Sequence, residues 1–259
     1  MIAFVNSFQS EWIKTRRSLA LWMVIIGGFF TPTVIVIARL VNHANVPGLY
    51  AREDFWQLLW RNSWESMAIF FLPLGAILST SLVAQIEYKN NTWKQLHTLP
   101  LSYTTIFVAK LSVILVLMGM FFVLFNVGIW LSAAIPYALV SGTPWPVGMP
   151  WQDFLKDDAF YFIDCLPIVG LQYLLALQYK NFLVGVGLGF VFWVGSIASV
   201  SWKFGYVIPY TYTMFNYLKD AEKTRAAIPE VNIHLIALAW TVAIVAAAYV
   251  LYISRPEKG

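Results

Sequence analysis

Residues Glu87 to Lys110 read EYKNNTWKQLHTLPLSYTTIFVAK, a polar stretch set between two apolar runs, each long enough to cross a bilayer. Trp93, Leu96 and Leu99 recur at helical spacing with Lys94, Gln95 and His97 between them, so a helix here has one apolar face and one polar face. Pro100 ends that helix, because its ring clashes with the preceding turn and it carries no amide proton. Ser102 then caps a new helix, which enters the next apolar run with Lys110 about one to two turns inside it. The stretch reads as a short amphipathic docking helix lying outside the membrane between two spans.

Composition agrees with spans on both sides of it. The chain has 259 residues, 59% hydrophobic and only 12% charged, whereas a soluble domain carries roughly 25% charged residues. Mean hydropathy is +0.68. A core of this length cannot hide so much apolar surface from water, and the predicted class is an all-α integral membrane protein. The single cysteine, Cys165, excludes an intrachain disulfide and a multi-cysteine metal cluster, and its apolar neighbours predict a buried, inert thiol. Many of the twelve tryptophans lie at segment ends, the position of residues that settle at headgroup level.

Taken in order, residues 1–18 form an interfacial helix rather than a cleaved signal peptide. Phe4, Val5, Phe8 and Trp12 share one face, opposite Gln9, Glu11 and Lys14. Spans are expected at about 19–41, 64–86, 106–134, 159–178, 182–201 and 233–253 within one transmembrane domain covering 1–259. Arg39 is expected to snorkel outward from the end of the first span. Trp56, Trp60 and Trp64 then mark a surface helix in the loop from Asn42 to Ser63. Ile135 to Asp158, rich in Pro and Trp, reads as an external loop, and Gly185, Gly187 and Gly189 as a close-packing stripe in the fifth span. Phe204 to Phe215 is too short to cross and return, and reads as a broken or re-entrant segment before the sixth span.

Glu87, Asn91-Thr92, Leu96, Leu99-Pro100, Ser102 and Lys110 together resemble the cytoplasmic loop after the second span of ABC-2-type permeases, the membrane subunits of ABC exporters. Asn91 stands where glycine is common in that family, and Tyr103 where a basic residue often follows the serine. Glu11, Lys14, Arg16 and Arg17, with Trp12 among them, are similar to the signature of the family's amino-terminal helix. The size and the loop look most similar to permeases of the bacitracin and lantibiotic self-protection type, which expel membrane-active peptides. This resemblance implies a coupling helix over Glu87 to Pro100, with Trp93, Leu96 and Leu99 as apolar anchors and Lys94 or His97 as polar contacts. It further implies an ABC ATPase subunit that carries ATP and Mg, a second permease subunit (the same chain or a paralogue), and a place in a bacterial cytoplasmic (inner) membrane.

The charge pattern is consistent with six spans and both termini in the cytoplasm. Lys14, Arg16, Arg17, Lys89, Lys94, Lys110, Lys180, Arg255 and Lys258 then crowd the inner ends of the spans. No Walker sequence or HExxH motif occurs, and His43, His97 and His234 are scattered, so the expectation is a chain with no catalytic residues, no bound metal or cofactor and no nucleic-acid partner. Asn126, Asp164 and Gln172 are the polar groups most costly to place in lipid, and stand as candidate pathway residues. Two other classes stay open. One is a membrane scaffold or sensor without transport. The other, an intramembrane enzyme, would need paired carboxylates at one depth, and Glu65, Glu87 and Asp164 are dispersed.

Overall fold

The computed structural model describes residues 2–86, 101–220 and 230–254. The described residues are helical, with no strand among them. α1 (Ile2–Thr15) leads through a turn into α2 (Leu19–Val41), which Ser18 caps by accepting a hydrogen bond from the Ala20 amide at 3.1 Å. Short α3 (Val46–Tyr50) precedes α4 (Phe55–Ser66), which runs on through a wide turn into α5 (Leu72–Ala84). α6 (Tyr103–Leu139), α7 (Trp151–Gln178) and α8 (Phe182–Ser199) follow, then short α9 (Tyr212–Asp220) and finally α10 (Ile233–Ile253). Six helical runs are long and apolar enough to cross a membrane: α2, α4 with α5, α6, α7, α8 and α10. Ile26, Val191, Leu235 and Val242 stand exposed on α2, α8 and α10, a surface suited to hydrocarbon and not to water.

The second span starts well before Trp64, which corrects the expected surface helix. α4 already belongs to the span, and Trp56, Trp60 and Trp64 are buried. Their spacing marks one face, and that face packs on protein. The wide turn, Met67–Phe71, has a local cause. Pro73 cannot donate to the Ile69 carbonyl and its ring crowds it, so the helix loosens into a π turn in which the Leu72 amide reaches back to Met67. Both bypassed carbonyls find donors elsewhere. Trp193 Nε1 donates to Ile69 O at 2.8 Å, and Thr213 Oγ1 to Ala68 O at 2.9 Å.

The expected external loop from Ile135 to Asp158 is likewise shorter than predicted. α6 continues through Pro136, and α7 begins directly after Pro150, so Asp153, Asp157 and Asp158 are helical. Pro136 strips Ser132 O of its helical donor, and Arg39 replaces it: Nη1 donates at 2.8 Å, while the Tyr50 hydroxyl donates to Ala133 O at 2.8 Å. Arg39 therefore turns into the protein instead of snorkelling outward, with its guanidinium over the Tyr50 and Phe55 rings.

Close helix approaches fix the bundle. A Cβ added at Gly128 would lie 2.7 Å from Pro32 Cγ, which holds α6 against α2. One added at Gly189 would lie 2.3 Å from Gln172 Oε1, whereas Gly187 faces open space. Gly189→Leu is therefore expected to destabilise by about 1–3 kcal/mol through overpacking, and Gly187→Leu to sit within about 0.5 kcal/mol of the parent. Thermal unfolding in detergent compares the two. Before α10, the aromatic segment folds as two 3₁₀ turns, Gly205–Val207 and Pro209–Thr211, followed by α9. Tyr210, Thr211, Tyr212 and Thr213 are buried there, and burial pushes the Tyr210 and Tyr212 phenols well above their ordinary range.

Candidate functional site

The described polar side chains flagged in the sequence separate into one end and three junctions of the bundle. At one end, called proximal here, meet α1, the end of α5, the starts of α6 and α8, and the ends of α7 and α10. α1 does not present its helical faces as expected. Glu11, read as part of the polar face, is buried together with Ser7 and Thr15, all three on one line of the helix, while Phe4 and Val5 stand exposed. The reason is a partner. Lys110 Nζ lies 2.7 Å from Glu11 Oε2, both side chains are at most 3% exposed, and Lys14 completes the group by pairing with the other Glu11 oxygen. Burial raises the Glu11 carboxyl pKa, but the charges of Lys110 and Lys14 outweigh it and hold it below its ordinary value. Trp12 is half-buried against the core, and Arg16 and Arg17 are exposed.

Glu87, Asn91, Thr92, Trp93, Lys94, Leu96, His97, Leu99 and Pro100 lie outside the described residues. The flanks of that stretch are described, and each is tied to a neighbouring span. Gln85 Nε2 donates to Tyr179 O at 3.0 Å, joining the end of α5 to that of α7. Ser102 Oγ accepts from the Thr105 amide at 3.1 Å and so caps α6, and Thr104 Oγ1 lies 2.6 Å from the Tyr249 hydroxyl on α10. Lys110 anchors α6 to α1 two turns further on. Direct bonds at or near the two flanks thus join α5 to α7, and α6 to α10 and α1.

Asn126, Asp164 and Gln172 occupy three separate junctions. Asn126 Nδ2 donates to Asp158 Oδ2 at 2.8 Å between α6 and α7. Asp164, fully buried, lies 2.8 Å from His234 Nδ1 at the start of α10; the imidazole stacks on Phe160, and the Asp164 charge adds to the upward shift of Tyr212. Gln172 Nε2 donates to Ser81 Oγ at 2.7 Å and to Gly185 O at 2.8 Å, binding α7 to α5 and α8. Each therefore bridges two or more spans, and no bond joins one of the three to another among those described. Sequence reading missed Asp158, His234 and Ser81 as their partners, since only the helix packing brings them together. The thiol of Cys165 is buried. Among the described residues no three His, Cys, Asp or Glu side chains gather as metal ligands.

Six apolar spans bridged by sparse, paired polar groups define a multi-pass helical membrane protein. The family model described as ABC-2 family transporter protein matches residues 7–196, and the chain belongs to that family. No curated protein matches it. The matched range holds Glu11, the stretch from Glu87 to Lys110, the first four spans and most of the fifth, and stops short of the broken segment and α10. Membership makes the chain a transport permease, of a kind that is generally a non-catalytic membrane subunit, and implies an ABC ATPase as partner.

Proposed function

We propose that this chain is the membrane-spanning subunit of an ABC exporter, in which residues 87–100 dock a separate ATPase and pass its closure on to the spans. The observation that carries the reading is the buried Glu11–Lys110 pair. It joins the two segments that carry the family's sequence pattern, and it sits just beyond the proposed docking stretch. Attachment of Gln85 to α7 and of Thr104 to α10 favours the same reading, because a docking loop does work on a bundle only if its ends do not slip. The basic residues Lys14, Arg16, Arg17, Lys110 and Lys180 favour a cytoplasmic proximal end. Lipid-facing surfaces on α2, α8 and α10 and a bundle of only six spans suit a cargo that is hydrophobic or amphipathic, moved between two permease subunits in a bacterial cytoplasmic membrane. ATP and Mg belong, on this reading, to the partner.

The test is recruitment. Detergent-solubilised wild type is expected to retain a candidate ABC ATPase in a pull-down, and Leu96→Asp combined with Leu99→Asp to lose it at unchanged thermal stability, since two carboxylates desolvated in an apolar groove forfeit the binding. Equal recruitment by the folded double variant rejects the docking assignment.

A further inference from the structure

We propose that the open cavity between α2, α3 and α4 binds an anionic phospholipid, a phosphodiester whose headgroup bears hydroxyls and no cation, with Arg39 as the donor to its phosphate. The observation behind it is a cation without a counter-ion. Arg39 sits in the last turn of a membrane-spanning helix, half-buried, and among the described residues it pairs with no carboxylate. Its protein partners are neutral. Nη1 donates to the Tyr50 hydroxyl at 3.2 Å and to Ser132 O at 2.8 Å, and the face of the guanidinium lies over the Tyr50 and Phe55 rings. That leaves the fork of Nε and Nη2 without a protein partner among the described residues, and neither nitrogen is sealed from the surface. Arg52 shows what the same fork takes when an anion is at hand: its Nε and Nη2 hold the two oxygens of Asp54, both at 2.8 Å.

Arg39 lines a cavity of about 240 Å³, and the rest of the lining selects among anions. It holds no Asp or Glu, so an ethanolamine or choline cation would find no counter-charge there. Asn45 and Asn62 line it instead, both exposed, and their amides suit hydroxyls. Ile35, Ala38, Leu49 and Leu58 form the apolar walls that remain open to contact, which an acyl chain covers and a free phosphate leaves wet. The volume is below that of an enclosed small-molecule site, and it suits a headgroup with the beginning of one chain. The depth is right for such a ligand. Ile37 and Val41 stand exposed at the same end of α2, and Trp145, packed on Trp56 beside Phe55, is one of the exposed tryptophans that mark the headgroup level. A cation held inside a span by neutral groups alone is costly, and a lipid phosphate at the fork supplies the missing charge.

Native mass spectrometry of the full-length protein tests the assignment, after release from nanodiscs holding equal amounts of phosphatidylglycerol and phosphatidylethanolamine. Wild type is expected to retain the glycerol lipid about tenfold over the ethanolamine lipid. Ala38→Trp fills the cavity without removing any bond of Arg39, and is expected to erase most of that preference. Arg39→Gln is expected to erase it too. Because Arg39 also serves Ser132 O, that variant can fail to fold, and Ala38→Trp, at an exposed position, then decides alone. Arg61→Gln removes an exposed cation that does not line this cavity, and is expected to keep the wild-type preference. Soluble glycerol phosphate is expected to leave the retained lipid in place. Equal retention of both lipids by wild type, undiminished preference in folded Ala38→Trp, an equal loss in Arg61→Gln, or displacement by glycerol phosphate overturns the proposal.

Discussion

Lys110→Met is expected to destabilise the protein by about 3–5 kcal/mol, because it strands a buried carboxylate. Glu11 and Lys110 are both almost completely shielded, and Lys14, the other cation at Glu11, is about a third exposed and so screened by solvent. Removing both charges is a different experiment. Glu11→Gln with Lys110→Met leaves no ion of the buried pair behind, and a buried pair replaced as a unit is often close to neutral, so the double variant should recover most of the loss. Thermal unfolding in detergent decides it, and a single variant within about 0.5 kcal/mol of wild type would remove the pair from the account. The pH dependence follows from the same carboxyl. Its folded pKa lies below the ordinary 4.5, so its stabilisation is complete above that value and fades as pH falls through the lower, folded one. Wild type should therefore hold its midpoint between neutral pH and about pH 5 with respect to this group, and lose stability below. Glu11→Gln should lack that acid-dependent loss.

Trp64→Ala is expected to cost about 3–5 kcal/mol, the range of a large aromatic deleted from a core. Trp64 stacks on Tyr161, meets Phe125 edge-on with centroids 5.1 Å apart, and leans on Phe122, so it joins α4, α6 and α7 at one point. Trp64→Phe keeps a ring in that position and loses no hydrogen bond, and its cost should fall to about 1–2 kcal/mol. Equal midpoints for the alanine variant and wild type would place Trp64 outside the core.

Trp64 also shows where sequence reading stopped. A tryptophan every four residues identifies one helical face, but the pattern is the same whether that face meets headgroups or protein. Pro136 misled for a related reason, whereas Pro73 was already expected inside the second span. Pro73 and Pro136 are breakers by local chemistry, and both are carried through because distant donors serve the carbonyls they orphan: Trp193, 124 residues from Ile69, and Arg39, 93 residues from Ser132. Local signals were read correctly where their cause is local. Ser102 caps α6 as its side chain requires, Gly189 sits at a close approach, and hydropathy alone located six apolar runs, since lipid demands long uninterrupted ones. Glu11 and Lys110 were each singled out by their place in a motif, yet their pairing spans 99 residues and depends on how α1 folds back onto α6.

The proposed docking role of residues 87–100 is tested most directly by crosslinking from inside the stretch. Cys165 is buried, so a thiol introduced at position 96 is the one a bifunctional maleimide reaches. In a complex with the ABC ATPase, Leu96→Cys is expected to crosslink to that subunit, and Leu139→Cys, exposed at the opposite end of α6, to give no product. An intact complex in which position 96 fails to react with the ATPase, or position 139 reacts as well, would contradict the account.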